Sequence, residues 1–353
     1  MNIKLLSTLI GIILLYSCSS QTTTVIVLCE QDLKGNYVLK WELYPDVGNT
    51  PVEIFVSDND SVFPADPQII ANSNDYMAML NNKTDAVEKR KYFRIKVSGI
   101  LSDVVSNRFF EMDSIQNFRD IGGYTTSDDK RLRWGKIFRS GSFALMTSRD
   151  SLVLNNLGIK TIIDLRSEDV QKRNPDRYIP VNNIRIPIAY SGYNVITQKV
   201  MAGRFLRGDA IIYTQDTYRE MVNNFADRYA AFFDYLCDEN NYPVIFHCYL
   251  GKDQSGLATF FLLRALGVPM DVIEDDYMAS DEAIDRSKLI RNADSLPESI
   301  QEAFTMLSRS DLAYLKYGIS CIKEKSGSLD DYMLHELKLT PEKERKLRKI
   351  LLY

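Results

Sequence analysis

Between Val25 and Phe110 apolar and polar residues alternate in short runs, at Val25–Val27, Tyr37–Leu43, Val52–Val56, Tyr76–Leu80 and Tyr92–Val97. A period of two places one face of each run in a core and the other in water, which predicts half-buried strands. Lys34-Gly35-Asn36, Pro45-Asp46-Val47-Gly48-Asn49 and Ser57-Asp58-Asn59-Asp60 break the runs with turn formers, so this segment is predicted to be an antiparallel sandwich. Beyond it the rhythm changes. Thr147 or Ser148 can cap a helix running to Leu157, which Gly158 ends, and Ile159–Leu165 follows as an apolar, β-branched strand. Asn183–Ile188 predicts another strand. Tyr218, Met221, Phe225, Tyr229, Phe232 and Leu236 recur at helical spacing on one face. The apolar run ending at His247 and the segment Leu257–Leu266 add a further strand and helix. This alternation predicts an α/β unit, a parallel sheet covered by helices.

A chain of 353 residues exceeds one small core and fits two domains, predicted at 25–110 and 111–353. The apolar run Leu5–Tyr16 behind Lys4 is too short to span a bilayer, which takes about 20 residues, but suits a signal-peptide core. It ends at Leu15-Tyr16-Ser17-Cys18, which resembles the lipobox of bacterial lipoproteins. The resemblance implies a signal peptide over 1–17, a lipid on Cys18, a polar tether over 18–24 and a place on the outer side of a membrane in the cell envelope. Within the sandwich, Trp41 and Tyr92 resemble the buried tryptophan and corner tyrosine of a fibronectin type III domain. A spacer holding the larger unit off the membrane is the expected role of this module, and the Asp58-Asn59-Asp60 turn is at most a weak cation site.

Composition narrows the chemistry. The 45% hydrophobic and 25% charged residues are ordinary for a folded protein, and a formal charge of −4 with pI near 5.5 lacks the basic field that nucleic-acid binding uses. His247 and His335 are the two histidines, which leaves little for a multi-histidine metal site or a Ser/His/Asp triad. Cys18, Cys29, Cys237, Cys248 and Cys321 include no C-x-x-C pair, so zinc ribbons and dithiol redox chemistry are not expected. Cys29, Cys237 and Cys321 read as core residues.

Cys248 is different. In Val244-Ile245-Phe246-His247-Cys248-Tyr249-Leu250-Gly251-Lys252-Asp253-Gln254-Ser255-Gly256 a buried strand runs into a short loop and then a helix. That arrangement aims the backbone N–H groups of Tyr249 to Gly256 and a helix N-terminus at whatever lies above the sulfur, a cradle for an anion. The same field favours a thiolate. Nucleophile and phosphate cradle therefore coincide: attack on phosphorus would give a cysteinyl phosphate that water then releases, with no metal or cofactor. Gly251 permits close backbone approach, Ser255 can hydrogen-bond the sulfur, and His247 can orient the loop from behind. Asp253 is the nearest candidate acid for the leaving group, and Asp164, at the end of the preceding strand, is the second candidate.

In order, Asn117-Phe118-Arg119-Asp120-Ile121-Gly122-Gly123, Phe138-Arg139-Ser140, Ile163-Asp164-Leu165-Arg166-Ser167 and His247-Cys248-x-x-Gly251-Lys252-Asp253 resemble the bacterial tyrosine phosphatases with the H-C-x-x-G-K-D-R-[ST]-G loop. The likeness extends over residues 113 to 353, including Gly327–Met333 and Leu339–Glu342. It implies a cysteine-phosphatase-type sheet and substrates that are phosphorylated proteins or phosphoinositide-like molecules, as for the secreted mycobacterial and listerial enzymes. One position departs from the pattern: where the loop arginine would stand, this chain has Gln254. An amide offers one neutral donor face where arginine grips two phosphoryl oxygens. Lys252, Arg119, Arg139 or Arg166 is then expected to supply the charge; otherwise the loop holds a phosphorylated ligand without turnover. Asp164 with Arg166, and Arg119 with Asp120, can equally be structural ion pairs. Gly251-Lys252 lacks the upstream glycine and following hydroxyl of a nucleotide P-loop. The stretch Tyr190–Gln215 is expected to be a loop over the site.

Overall fold

The computed structural model describes residues 23–32, 34–81, 89–189, 193–289 and 295–353. The signal and lipobox residues, Cys18 included, lie outside the described residues.

Residues 24–101 form two antiparallel sheets. In the first, β1 (Thr24–Gln31), β2 (Tyr37–Tyr44) and β5 (Met77–Leu80) pair in the order β1-β2-β5; in the second, the order is β4 (Ile69–Asn72), β3 (Pro51–Ser57), β6 (Tyr92–Val97), β7 (Ile100–Leu101). Their inner faces share one core, with Leu39, Trp41, Val52, Ile54, Phe93, Ile95 and Val97 almost wholly buried. Trp41 satisfies its indole N–H on Ser73 O (3.1 Å), which is what lets so large a side chain sit inside. The Tyr92 ring lies under Arg90, and its hydroxyl fills the space where a Cβ on Gly135 would be 2.7 Å away. The 58–60 turn is likewise committed, Asp58 to Lys91 Nζ (2.7 Å), Asn59 to the N–H groups of Ser61 and Val62, and Asp60 to Tyr353 Oη (2.7 Å).

The remainder is built on a five-stranded sheet in the order β11 (Asn182–Arg185), β10 (Thr161–Asp164), β12 (Val244–His247), β9 (Ile137–Ser140), β8 (Arg119–Asp120). The first four strands run parallel and β8 closes the edge antiparallel to β9. Residues alternate between its two faces. Val244 and Phe246 of β12 and Ile163 of β10 enter a core completed by α4 (Arg207–Asn224), α5 (Ala226–Leu236), α6 (Gln254–Leu266) and the C-terminal helices, whereas Ile245 and Ile162 face Phe138, Phe143, Val153 and Leu154 beside α1 (Ser148–Asn156). Both faces are covered, so the strands read as continuous apolar runs. β12 is central, which puts its carboxyl end, and Cys248, in the middle of the molecule's α/β part.

Helix α1 starts where expected. Thr147 accepts from Asp150 N, Asp150 returns a bond to Thr147 N, and Gly158 takes φ +65° beyond the end. Two expectations change. The helical face from Tyr218 to Leu236 is carried by two helices, because the chain leaves helical dihedrals at Phe225 (φ −126°, ψ 22°) after the poor helix formers Asn223-Asn224. The segment expected as a loop over 190–215 is instead largely helical, α3 (Tyr193–Met201) and the start of α4, while 190–192 lie outside the described residues. Val200, Phe205 and Ala210 there pack on Ile300, Ala303 and Met306 of α8 (Glu298–Ser308), a small core of their own. A helical face with a partner buries more than a loop could.

Candidate active site

The chain leaves β12 at His247 and enters α6 at Gln254, so residues 248–253 form a tight loop on the sheet's carboxyl edge. Gly251 sits at φ +71°, and a Cβ there would lie 2.5 Å from the carbonyl carbon and oxygen of Ser140 and 2.8 Å from Gly141 N. Left-handed backbone and a wall of main chain both demand glycine.

The loop's peptide groups are sorted by direction. Its carbonyls are held from outside: Ser142 N donates to Tyr249 O (3.0 Å), Asn117 Nδ2 to Leu250 O (3.1 Å), and Arg139 Nη2 to Gly251 O (2.7 Å). Among the described residues, the N–H groups of Leu250 to Gly256 donate to nothing, and the first bond of α6 runs from Leu257 N to Asp253 O (2.8 Å). Seven consecutive amides are thus unspent, including those a helix N-terminus always leaves over. Cys248, at the base of this loop, is 2% exposed.

Buried ion clusters hold this geometry. Asp276, on α7 (Met270–Ala283), accepts from Arg119 Nε (3.1 Å), Arg139 Nη1 (2.7 Å) and Tyr124 Oη (3.0 Å). Burial alone would raise its pKa, but Arg119 and Arg139 hold the carboxylate well below its usual range. Burial and the neighbouring Arg119 lower Arg139 to about 10, against the pull of Asp276. Arg119 also bonds Asn117 Oδ1 and Ser280 Oγ, and Asn117 takes a left-handed φ of +57°. Arg166 forms the second cluster. It grips both oxygens of Asp164 (2.9 and 2.7 Å) and also meets Asp176 Oδ1 (2.8 Å) and Ser142 Oγ (2.8 Å). His247 Nε2 lies 3.0 Å from Asp176 Oδ2, and its Nδ1 3.3 Å from Cys248 O, so the ring braces the loop from behind. Asp164, Asp176 and His247 present ligand atoms within 4.8 Å of one another, but the Arg166 guanidinium joins both carboxylates.

Several roles expected from the sequence shift accordingly. Asp164 is 2% exposed and fully engaged by Arg166, leaving it no access to a leaving group. Arg119 and Arg139 share the one carboxylate of Asp276 and Arg166 bonds Asp164 and Asp176, and Arg139 and Arg166 remain within electrostatic reach of Cys248. Asp120 belongs to a different place: it is wholly buried, accepting from Arg90 Nη1, Gly122 N (2.7 Å) and Gly135 N (2.7 Å), where the two-sheet segment meets the α/β part. Lys252 donates to Asp253 Oδ1 (2.8 Å). Gln254 is 4% exposed and gives its amide N–H to Ile188 O (2.8 Å) rather than to the loop. Ser255 is fully buried, and its Oγ has no partner among the described residues. Tyr249 lies half-exposed at the rim. Asp276, Asp176 and the roles of Asn117 and Ser142 escaped sequence reasoning. Asp276 lies 28 residues beyond Cys248, inside a helix whose pattern gives no hint that an aspartate will be buried.

Residues 110–353 match the model of the tyrosine phosphatase family. A protein of Cupriavidus necator named as a tyrosine-protein phosphatase is 26% identical over 233 residues, covering 64% of this chain and 83% of its own. The triple specificity protein phosphatase PtpB of Mycobacterium tuberculosis is 26% identical over 259 residues, covering 63% and 92%. Among solved structures, the core catalytic domain of the PP-IP phosphatase SIW14 from S. cerevisiae aligns at 15% identity with a TM-score of 0.27, over 55% of this chain and 89% of that one. With the family's match spanning the whole sheet, the Cys248 loop and the C-terminal helices, the chain belongs to the tyrosine phosphatase family and is a phosphatase, a hydrolase acting on phosphorylated substrates.

Proposed function

We propose that the chain hydrolyses phosphomonoesters, phosphotyrosine or a phosphoinositide-like ester, through a cysteinyl phosphate on Cys248. The observation that carries this reading is the sorted loop: carbonyls of Tyr249, Leu250 and Gly251 tied outward, N–H groups of Leu250 to Gly256 left over above a cysteine at a strand end. Such a nest binds a tetrahedral anion and stabilises charge that grows on its equatorial oxygens. The Cys248 thiolate attacks phosphorus in line. The P–O bond to the leaving group breaks, and Asp253, the part-exposed carboxyl of the loop, gives its proton to the departing oxygen. Water then attacks the cysteinyl phosphate, its proton passes to Asp253, and phosphate leaves with the thiolate restored. The buried Ser255 hydroxyl, without a partner among the described residues, supports a donor to that sulfur as it departs.

The cost of Gln254 falls on rate. Its amide is held by Ile188 O, so equatorial charge is met by main-chain dipoles, by Lys252 beside Asp253 and by the field of Arg139 and Arg166, which interact electrostatically with Cys248. Replacing Gln254 with arginine is expected to raise turnover of p-nitrophenyl phosphate by about 10²-fold, the size typical of one preorganised donor, and Cys248→Ser to abolish it. An inert wild type with an active Gln254→Arg would make the chain a phosphate-binding protein without turnover, the second reading.

Further parts of the proposal rest on resemblance. Residues 25–110 are read as a fibronectin type III-like sandwich domain acting as a spacer, with 111–353 as the catalytic domain. Cys18 is read as a lipidated residue after removal of 1–17, which would hold the enzyme on the outer side of a membrane in the cell envelope. No helix among the described residues is long and apolar enough to cross a membrane. Metabolic labelling with a fatty-acid probe in a bacterial host, lost in Cys18→Ala, tests the anchor.

A further inference from the structure

We infer that two buried tyrosines, Tyr218 of α4 and Tyr277 of α7, are positioning residues that orient the Asp253 carboxyl as the proton donor of the reaction. The inference rests on the reading of Cys248 and Asp253 given above and assigns the device that aims the acid. The two hydroxyls lie 2.7 Å apart, and Tyr218 Oη lies 3.2 Å from Asp253 Oδ1. Both rings are buried, Tyr218 wholly and Tyr277 to 2% exposure. Burial, the partner tyrosine and the Asp253 charge all push Tyr218 far up, and burial followed by the Asp253 charge does the same to Tyr277, so both stay protonated and can only donate towards a carboxylate. The chain of donors therefore has one direction: Tyr277 O–H to Tyr218 O, Tyr218 O–H to Asp253 Oδ1.

The two contacts on Asp253 fall on the same oxygen. Lys252 Nζ also donates to Oδ1 (2.8 Å), while Oδ2 has no partner among the described residues and the side chain retains 21% of its exposure. Two donors on Oδ1 localise negative charge there and leave Oδ2 to carry the proton. The tyrosines are themselves fixed. Tyr277 lies against α6 closely enough that a Cβ on Gly256 would meet its ring at 3.2 Å, and Tyr218 stacks on Tyr314 of α9 (Leu312–Ser326). Tyr277 is also the residue after Asp276, so adjacent side chains of α7 hold Arg139, which bonds the loop at Gly251 O, and the Tyr218 hydroxyl, which bonds the acid. Phosphate cradle and proton donor are registered to each other through a single helix.

The test is leaving-group dependence in Tyr218→Phe and Tyr277→Phe, each of which removes only a hydroxyl from a packed ring. Steady-state kcat/KM, which reports the step in which the leaving group departs, is measured for a series of phosphate monoesters, from p-nitrophenyl phosphate to phenyl and alkyl phosphates. A poor leaving group needs the proton and a good one needs it little. Tyr218→Phe is expected to lose about tenfold more kcat/KM on phenyl phosphate than on p-nitrophenyl phosphate, a fraction of the about 10²–10⁴ that general acids supply, with Tyr277→Phe smaller in the same direction. Equal loss across the series, or none, overturns the inference and leaves Cys248 chemistry standing. Turnover in the wild type that survives Cys248→Ser, or wild type without turnover, overturns both.

Discussion

At the scale of single residues, the site depends on which side chains are denied alternatives. Gly251→Ala would place a methyl 2.5 Å from the Ser140 carbonyl at a φ that L-residues avoid, and neither the backbone wall nor the dihedral can give cheaply. We expect about 1–3 kcal/mol of destabilisation, read from urea midpoints, together with loss of phosphatase activity, since the loop that moves is the one presenting its amides. Asp276 makes a prediction about pH. Its folded pKa lies below the unfolded value of about 3.9, so the stability it contributes is complete above that value and drains away as pH falls towards the folded one. Urea unfolding of Asp276→Asn should therefore show lower stability at pH 7 and a shallower decline between about pH 5 and pH 2 than the wild type. A parallel acid profile in the two proteins would mean that Arg119 and Arg139 do not hold this carboxylate.

At the scale of elements, much could be read from order and some could not. The strand, loop and helix around Cys248, the capped helix α1 and the inner faces of β2, β3 and β6 follow from local pattern, because each is fixed by neighbours in sequence. The direction of the loop's carbonyls does not. It depends on Asn117, Arg139 and Ser142, brought in from segments more than a hundred residues away, and on Asp276, whose burial is set by helix packing rather than by its own neighbours. The same reason hides the partners of Arg119, Arg139 and Arg166: charge and motif position were visible in the chain, but Asp276, shared by the first two, and Asp176, on the third, were not. Asp164 illustrates the point most sharply, since the residue two positions on, Arg166, occupies both of its oxygens. The helical stretch over 193–215 was hidden for a different reason. Its apolar residues Val200, Phe205 and Ala210 find their partners on α8, nearly a hundred residues later.

At the scale of the whole molecule, a buried cation, Arg90, helps tie the two-sheet segment to the α/β part. Arg90 Nη1 donates to Asp120, its Nε to Ser106 Oγ (2.7 Å) and its Nη2 to Asn107 O (2.7 Å), among the rings of Tyr92, Phe110 and Trp134. Burial opposes a charge here, yet Asp120 raises the Arg90 pKa and keeps it charged. Removing one partner strands the other, at a cost of about 3–5 kcal/mol. The wild type is expected to unfold in one cooperative urea transition and Arg90→Ala in two, while a single transition in both would mean that the sheets and the α/β part are coupled elsewhere. All of this architecture serves one sulfur. The most direct measurement is acid quench of the wild type during turnover of an aryl phosphate, followed by mass spectrometry of its peptides. The account predicts a phosphoryl group on the peptide containing Cys248 and none on that of Cys248→Ser; hydrolysis without any adduct on that peptide, or with the adduct elsewhere, would contradict it.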